Sequence, residues 1–311
     1  MSYAAIFPGQ GAATPGAGQP WVDHPAWQVV ADAEAATARP LARLLLEADA
    51  DELSTTGASQ LAVMLTSLVA WRAVAGTLGE APVAFAGHSL GQITALIASG
   101  AVAPDDGYRL AARRADLSQL SADARPGRMV VLMGTDLDTA SGVCRGGRDV
   151  WIANDNAPGQ IVIAGTPEGV EAAAERARAA GVRRVMPLDV GHAFHTPLLR
   201  EAADELRHML DAVDYRTPAA PIVANTDAAA HSDPDGWPDR LTRHLTDPVL
   251  WRASQQALAD LGATAFVEVG PGRVLAGLAK RTVPDVAVHT VATPADLDRL
   301  AEALAPTGAP R

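Results

Sequence analysis

The sequence predicts an α/β protein, in which a main unit of buried parallel strands and covering helices is interrupted by a smaller β-α-β-β-α-β unit. Three observations carry this. Uncharged apolar runs such as 83–86, and the run 265–269, stop at glycine and lead into segments of helical periodicity, as strands buried inside such a fold do. Gly87-His88-Ser89-Leu90-Gly91 joins the first run to a helix in which Ile93, Leu96 and Ile97 recur at helical spacing. From Pro126-Gly127 to residue 190, strand and helix signals alternate in the order of a ferredoxin-like subdomain.

Taken in order, 4–7 is a short apolar strand running into Pro8-Gly9-Gln10-Gly11, a turn whose glycines allow close backbone approach; an ordinary loop is the competing reading. Residues 22–53 show helical rhythm on either side of Pro40, and 60–74 form a strongly apolar helix; both read as cover for a sheet. Residues 104–120 suggest a further helix bearing Arg109, Arg113 and Arg114. Within the second unit the strands are 129–133, 150–153, 160–164 and 182–188, with helices at 137–144 and 168–180. The loop Val190-Gly191-His192-Ala193-Phe194-His195-Thr196-Pro197 then leads into a helix over 198–213. Strands at 222–225 and 265–269 follow, separated by helical segments around Arg240 and over 251–261. Gly270-Pro271-Gly272 breaks the last strand and starts a helix containing Lys280-Arg281, and the tail 305–311 is expected to be disordered. The domain division is therefore 1–126 with 191–311 as the large unit and 127–190 as the small one.

With 311 residues, 48% of them hydrophobic, the chain can bury a substantial core without staples. Cys144 is the only cysteine, so an internal disulfide and a cysteine-based metal cluster are excluded, and it reads as a packing residue. A net charge of -11 with no Lys/Arg-rich stretch opposes nucleic-acid binding, so an anionic ligand must meet local cations. No run of eighteen apolar residues appears, and the first seven residues have neither a basic n-region nor a cleavage site; a cytoplasmic protein without membrane association is expected, as a monomer.

The chemistry centres on Ser89. A sharp strand-to-helix turn needs glycines where side chains would clash, lifts the serine hydroxyl out of the backbone and aims helix-start N–H groups at a developing oxyanion. The bland alternative is a helix-capping serine in a tight turn. A serine nucleophile needs a base within hydrogen-bond reach, most often histidine. Of eight histidines, His195 lies on a loop re-entering the main unit, where α/β enzymes present functional residues, whereas His88 adjoins the serine but points along the elbow.

In combination these segments resemble the malonyl-CoA:acyl carrier protein transacylases and the acyltransferase domains of polyketide synthases. The matching stretches are 7–11, 87–91, Arg114, 153–165, His192-Ala193-Phe194-His195 and Glu268-Val269-Gly270-Pro271-Gly272, in the family's order and across nearly the whole chain. The resemblance implies an α/β-hydrolase-like core with a ferredoxin-like insert. It implies Ser89 as the acylated nucleophile, His195 as general base and acid, and the backbone N–H groups of Gln10 and Leu90 as the oxyanion hole. Arg114 then meets the malonyl carboxylate, for which a guanidinium fork is suited, with neighbouring Arg113 as the rival and a solvated helix face as the bland reading. Phe194 implies malonyl over methylmalonyl by crowding an α-methyl branch, or it packs under the loop. His88 adjoins the substrate, and His244 orients His195 through its backbone carbonyl. The implied substrates are malonyl-CoA and an acyl carrier protein, with no metal or redox cofactor, in fatty-acid or polyketide synthesis. A trans-acting acyltransferase for another acyl group or donor, and an editing acyl hydrolase, are the alternatives.

The chain departs from the family pattern in three places. Ala12 and Ala13 follow Gly11 where Ser-Gln is common, His244 stands where the bacterial fatty-acid enzymes often carry glutamine, and Gln92 replaces a frequent glutamate. Asp189 is a candidate third member beside the Ser-His pair. Asn154 and Asn156 flank the cleft in the family but read locally as turn residues, and Lys280 and Arg281 read as a solvated helix end that CoA phosphates or an acidic carrier protein could also meet.

Overall fold

The strands, numbered along the chain, are β1 (Tyr3–Phe7), β2 (Ala84–Gly87), β3 (Arg128–Met133), β4 (Val150–Ala157), β5 (Gln160–Gly165), β6 (Arg184–Pro187), β7 (Ile222–Val223), β8 (Ala230–His231), β9 (Ala265–Val269) and β10 (Ala287–Val291). They are taken from a computed structural model that describes residues 1–188 and 190–305. Asp189 and the tail from 306 onward lie outside the described residues.

Among these residues one sheet has the order β10-β9-β1-β2-β7-β8. Its central strands β1, β2 and β9 are buried along their whole length, as parallel strands covered on both faces must be. Ile6 pairs with Ala86 on one side and Glu268 on the other, so β1, β2 and β9 end level. The turns after them, 8–11, 88–90 and 270–272, therefore sit side by side at the carboxyl edge, where open α/β sheets hold ligands. The sheet is not wholly parallel. A return strand, β8, runs antiparallel to β7, and β10 adds a parallel edge beyond β9. Neither was expected: β8 is only two residues long, and β10 carries His289 and Thr290 and is exposed or partly exposed up to its last residue, Val291, so it forms no continuous apolar run.

Helix Thr56–Leu78 extends the expected apolar segment at both ends, from the cap Thr55, whose hydroxyl accepts from Ala58 N–H, to left-handed Gly79. Its mean hydropathy of 1.6 over 18 residues would suit a membrane, but 67% of that stretch is buried inside the fold. It packs against helices Gln28–Thr37, Gly91–Ala98 and Pro104–Ala124 and against β9, which accounts for apolar residues on every face.

The second sheet is antiparallel throughout, in the order β4-β5-β3-β6. Strand alternation gives it two different faces. Val130, Leu132, Ile161 and Ile163 pack with Val143 and Val170 of the helices Leu137–Arg145 and Pro167–Ala179 in a core of their own. Met129, Val131 and Val162 point the other way, into the main core and toward the first sheet. β4 runs on to Ala157 through two register irregularities, so Asn154, Asp155 and Asn156 lie within a strand and are buried, not in a turn. Val249 bridges to this stretch: its carbonyl accepts the Asp155 N–H at 2.9 Å.

Candidate active site

Between the two sheets lies a cleft of about 480 Å³, bordered by Gln10, His88, Ser89, Asn156, Phe194 and His195 and floored by the apolar side chains of β3 and β5. Ser89 stands at φ 52°, in the left-handed region where a non-glycine residue carries strain of roughly 1–3 kcal/mol. The glycines around it are sterically required. A Cβ on Gly87 would lie 1.8 Å from the Gly91 carbonyl oxygen, and one on Gly91 would lie 2.2 Å from that of Phe7. The elbow therefore stands directly over the end of β1.

His195, also at positive φ (59°), brings Nε2 to 2.7 Å from Ser89 Oγ. Its Nδ1–H donates to the His244 carbonyl at 2.8 Å. That carbonyl belongs to the last turn of helix Trp237–Thr246, where carbonyls lack intrahelical partners, so the helix end fixes the tautomer that leaves Nε2 free to accept. Burial, with the Arg114 guanidinium next, lowers the His195 pKa to about 3, and the ring is neutral at physiological pH. The negative end of the helix dipole faces the ring and would stabilise an imidazolium formed transiently.

The Gln10 and Leu90 backbone N–H groups donate to no acceptor among the described residues, whereas the Ser89 N–H is taken by Asn225 Oδ1 at 2.8 Å. Arg114 enters from helix Pro104–Ala124 and is only 2% exposed. Its guanidinium donates to Gln60 Oε1 and, at 3.4 Å, to Ser89 Oγ. No carboxylate among the described residues pairs with it, and burial lowers its pKa to about 10, still well above neutrality. Arg113 points outward to Glu205 at 2.7 Å.

Phe194 borders the cleft with its ring edge-on to His192 at 5.3 Å. His88 turns off the elbow into the cleft wall: its Nε2 meets Asn156 Oδ1 at 2.8 Å, and the ring packs edge-on against Trp251. Gln92 Oε1 accepts the Asn225 N–H at 3.0 Å, a contact the substitution for glutamate left open. Glu268 accepts the N–H groups of Leu275 and Ala276 and so caps helix Val274–Thr282 from inside β9. The Arg281 guanidinium donates to Gln160 Oε1 and the Pro158 carbonyl, tying that helix to the β4–β5 turn, while Lys280 is exposed. Among the described residues no cluster of three or more His, Cys, Asp or Glu side chains is arranged to hold a metal. Asp189, the candidate third member, lies outside the described residues.

A family model described as an acyl transferase domain matches residues 5–302. The chain belongs to the acyl transferase family. Among this family's members, the malonyl CoA-acyl carrier protein transacylase of Escherichia coli K12 is 35% identical over 301 residues, covering 94% of this chain and 96% of its own. The crystal structure of an acyl-carrier-protein S-malonyltransferase from Burkholderia pseudomallei 1710b superposes with a TM-score of 0.92 at 37% identity, covering 97% of this chain and 100% of that one. A type II PKS acyl-carrier protein in complex with its malonyl-transacylase gives a TM-score of 0.92 at 33% identity, again covering 97% and 100%.

Two residues of this acyl transferase site were not visible in the sequence. Gln60 holds Arg114, and its only signal is a polar side chain within an apolar helix. Asn225 reaches the elbow from the end of β7, and a lone asparagine after a short strand carries no such message.

Proposed function

We propose that this acyl transferase moves a malonyl group from CoA to the phosphopantetheine thiol of an acyl carrier protein by a ping-pong Ser-His mechanism. The observation that carries the reading is Arg114: a buried guanidinium beside the nucleophile, without a carboxylate partner among the described residues, fits an acyl group that brings its own carboxylate. In the first half-reaction Ser89 Oγ attacks the thioester carbonyl and its proton passes to His195 Nε2. The Gln10 and Leu90 N–H groups receive the oxyanion, each such donor being worth roughly 3 kcal/mol. Collapse breaks the C–S bond, and His195 returns the proton to the departing CoA sulfur. The carrier-protein thiol then repeats the sequence against the Ser89 ester, with His195 as base. His244 holds the ring throughout, Phe194 crowds the malonyl α-carbon, and His88 borders the substrate.

The reaction needs no metal or redox cofactor in this scheme. The first sheet with its helices, from 1–126 and 191–311, is read as an α/β-hydrolase-like core, and 127–190 as a ferredoxin-like unit that closes the cleft. The enzyme is read as a cytoplasmic monomer serving fatty-acid or polyketide synthesis. Incubation with radiolabelled malonyl-CoA and a phosphopantetheinylated carrier protein tests this. Label on the carrier protein is the expected result; free malonate would mean a hydrolase instead.

A further inference from the structure

The Asn225 side chain touches both the backbone of Ser89 and the side chain of His244, whose carbonyl holds His195. Its Nδ2–H donates to the Gly87 carbonyl at 2.8 Å, and its Oδ1 accepts the Ser89 N–H at 2.8 Å. Both partners are backbone groups whose roles are fixed, so the orientation of the carboxamide is fixed as well. Its own N–H goes to Gln92 Oε1 at 3.0 Å, and its carbonyl takes the Leu250 N–H at 2.9 Å. The same Oδ1 lies 3.1 Å from His244 Nε2. An amide oxygen accepts only, so His244 must donate there.

We infer that the Asn225 carboxamide and the His244 imidazole form a positioning relay, joining the backbone of the nucleophile to the helix end that holds the base. The proposal rests on the reading of Ser89 and His195 as nucleophile and base. It gives the residue at 244 a side-chain task besides lending its carbonyl to His195. It also assigns the two neighbouring histidines opposite neutral tautomers: His195 carries its proton on Nδ1, and His244 on Nε2. The titratable and charged groups facing His244 are His195, Arg114 and His88, cationic whenever they carry charge, so a second proton on His244 is opposed from each side. The strained φ of Ser89 gives the relay its purpose, because a backbone held in the left-handed region persists only where its surroundings over-determine it.

Two readouts test the inference on the full-length protein. Nitrogen-15 NMR of histidine-labelled wild type at pH 7, with His244 assigned through His244→Gln, is expected to show a neutral Nε2–H tautomer for His244 and Nδ1–H for His195. An Nδ1–H or doubly protonated His244 would overturn the relay, and this arm needs neither activity nor a mutant that retains it. In the second arm, acylation by malonyl-CoA is followed in wild type, Asn225→Ala, His244→Leu and His244→Gln. Asn225→Ala is expected to lose about 100-fold in kcat with KM little changed, as a misplaced reacting group does. His244→Leu is expected to lose part of this and His244→Gln, which keeps an N–H donor, to recover most of it. Wild-type kcat in both Asn225→Ala and His244→Leu refutes the relay, whereas a wild type that is never acylated refutes the proposed function and leaves the NMR arm to decide the relay.

Discussion

Replacing Arg114 by alanine tests the proposed role of its guanidinium as the partner of an acyl carboxylate. The guanidinium is 2% exposed, is held by Gln60 and lies 3.4 Å from Ser89 Oγ. A malonyl carboxylate meeting it would form a fully desolvated, charge-assisted pair. Truncating one member of such a pair costs about 3 kcal/mol, which is roughly a 100-fold loss at 1.4 kcal/mol per decade. Acetyl-CoA has no carboxylate to lose, so its transfer should hold or improve as the buried charge is removed. The assay is the initial rate of Ser89 acylation by malonyl-CoA and acetyl-CoA in both proteins, followed by mass spectrometry of the intact chain. The expected result is a collapse of the malonyl-to-acetyl ratio by about two decades. An unchanged ratio would refute the carboxylate role. Loss of folding would not imitate the effect, since it would lower both rates together.

Phe194→Ala opens the cleft beside His195, so acylation by methylmalonyl-CoA relative to malonyl-CoA should rise about 10- to 100-fold, the usual worth of one methyl group; an unchanged ratio would mean the ring only packs. Gly87→Ala places a Cβ 1.8 Å from the Gly91 carbonyl oxygen. Denaturant unfolding should show a loss of about 3 kcal/mol or more. Acid stability follows from the buried histidines: His192, His195 and His244 are all held below the ordinary imidazole range by burial. Their contribution is complete above about pH 6.5 and is lost as the pH falls, because the unfolded chain then binds protons that the folded one refuses, at up to about 1.4 kcal/mol per pH unit for each ring. For His195 the window reaches down to about pH 3. Unfolding free energies measured from pH 7 to pH 5 should therefore decline, and a flat profile would contradict the burial of these rings.

The elbow was legible because its requirements are local: an apolar strand, two glycines at fixed offsets and a helix start leave one place for Ser89. His195 was legible only in company, since nothing in Phe194-His195-Thr196 says that the chain returns to within 2.7 Å of the serine. Arg114 and Arg113 are adjacent in sequence and opposite in fate, one buried at the site and one paired outside, a choice set by helix rotation that the family pattern had anticipated. Asn154 and Asn156 misled because asparagine disfavours strands, yet here His88 takes the Asn156 side chain and Val249 the intervening backbone, which removes that penalty. Asn225 could not be read at all. Its partners lie at 87, 89, 92, 244 and 250, and only the folded chain gathers them.

Peptide mapping by mass spectrometry after brief exposure to malonyl-CoA and an acid quench tests the central claim most directly. A malonyl ester on the peptide containing Ser89, absent in Ser89→Ala and slow to form in His195→Ala, is the predicted result. A malonyl group on another residue, or labelling that survives Ser89→Ala, would contradict it.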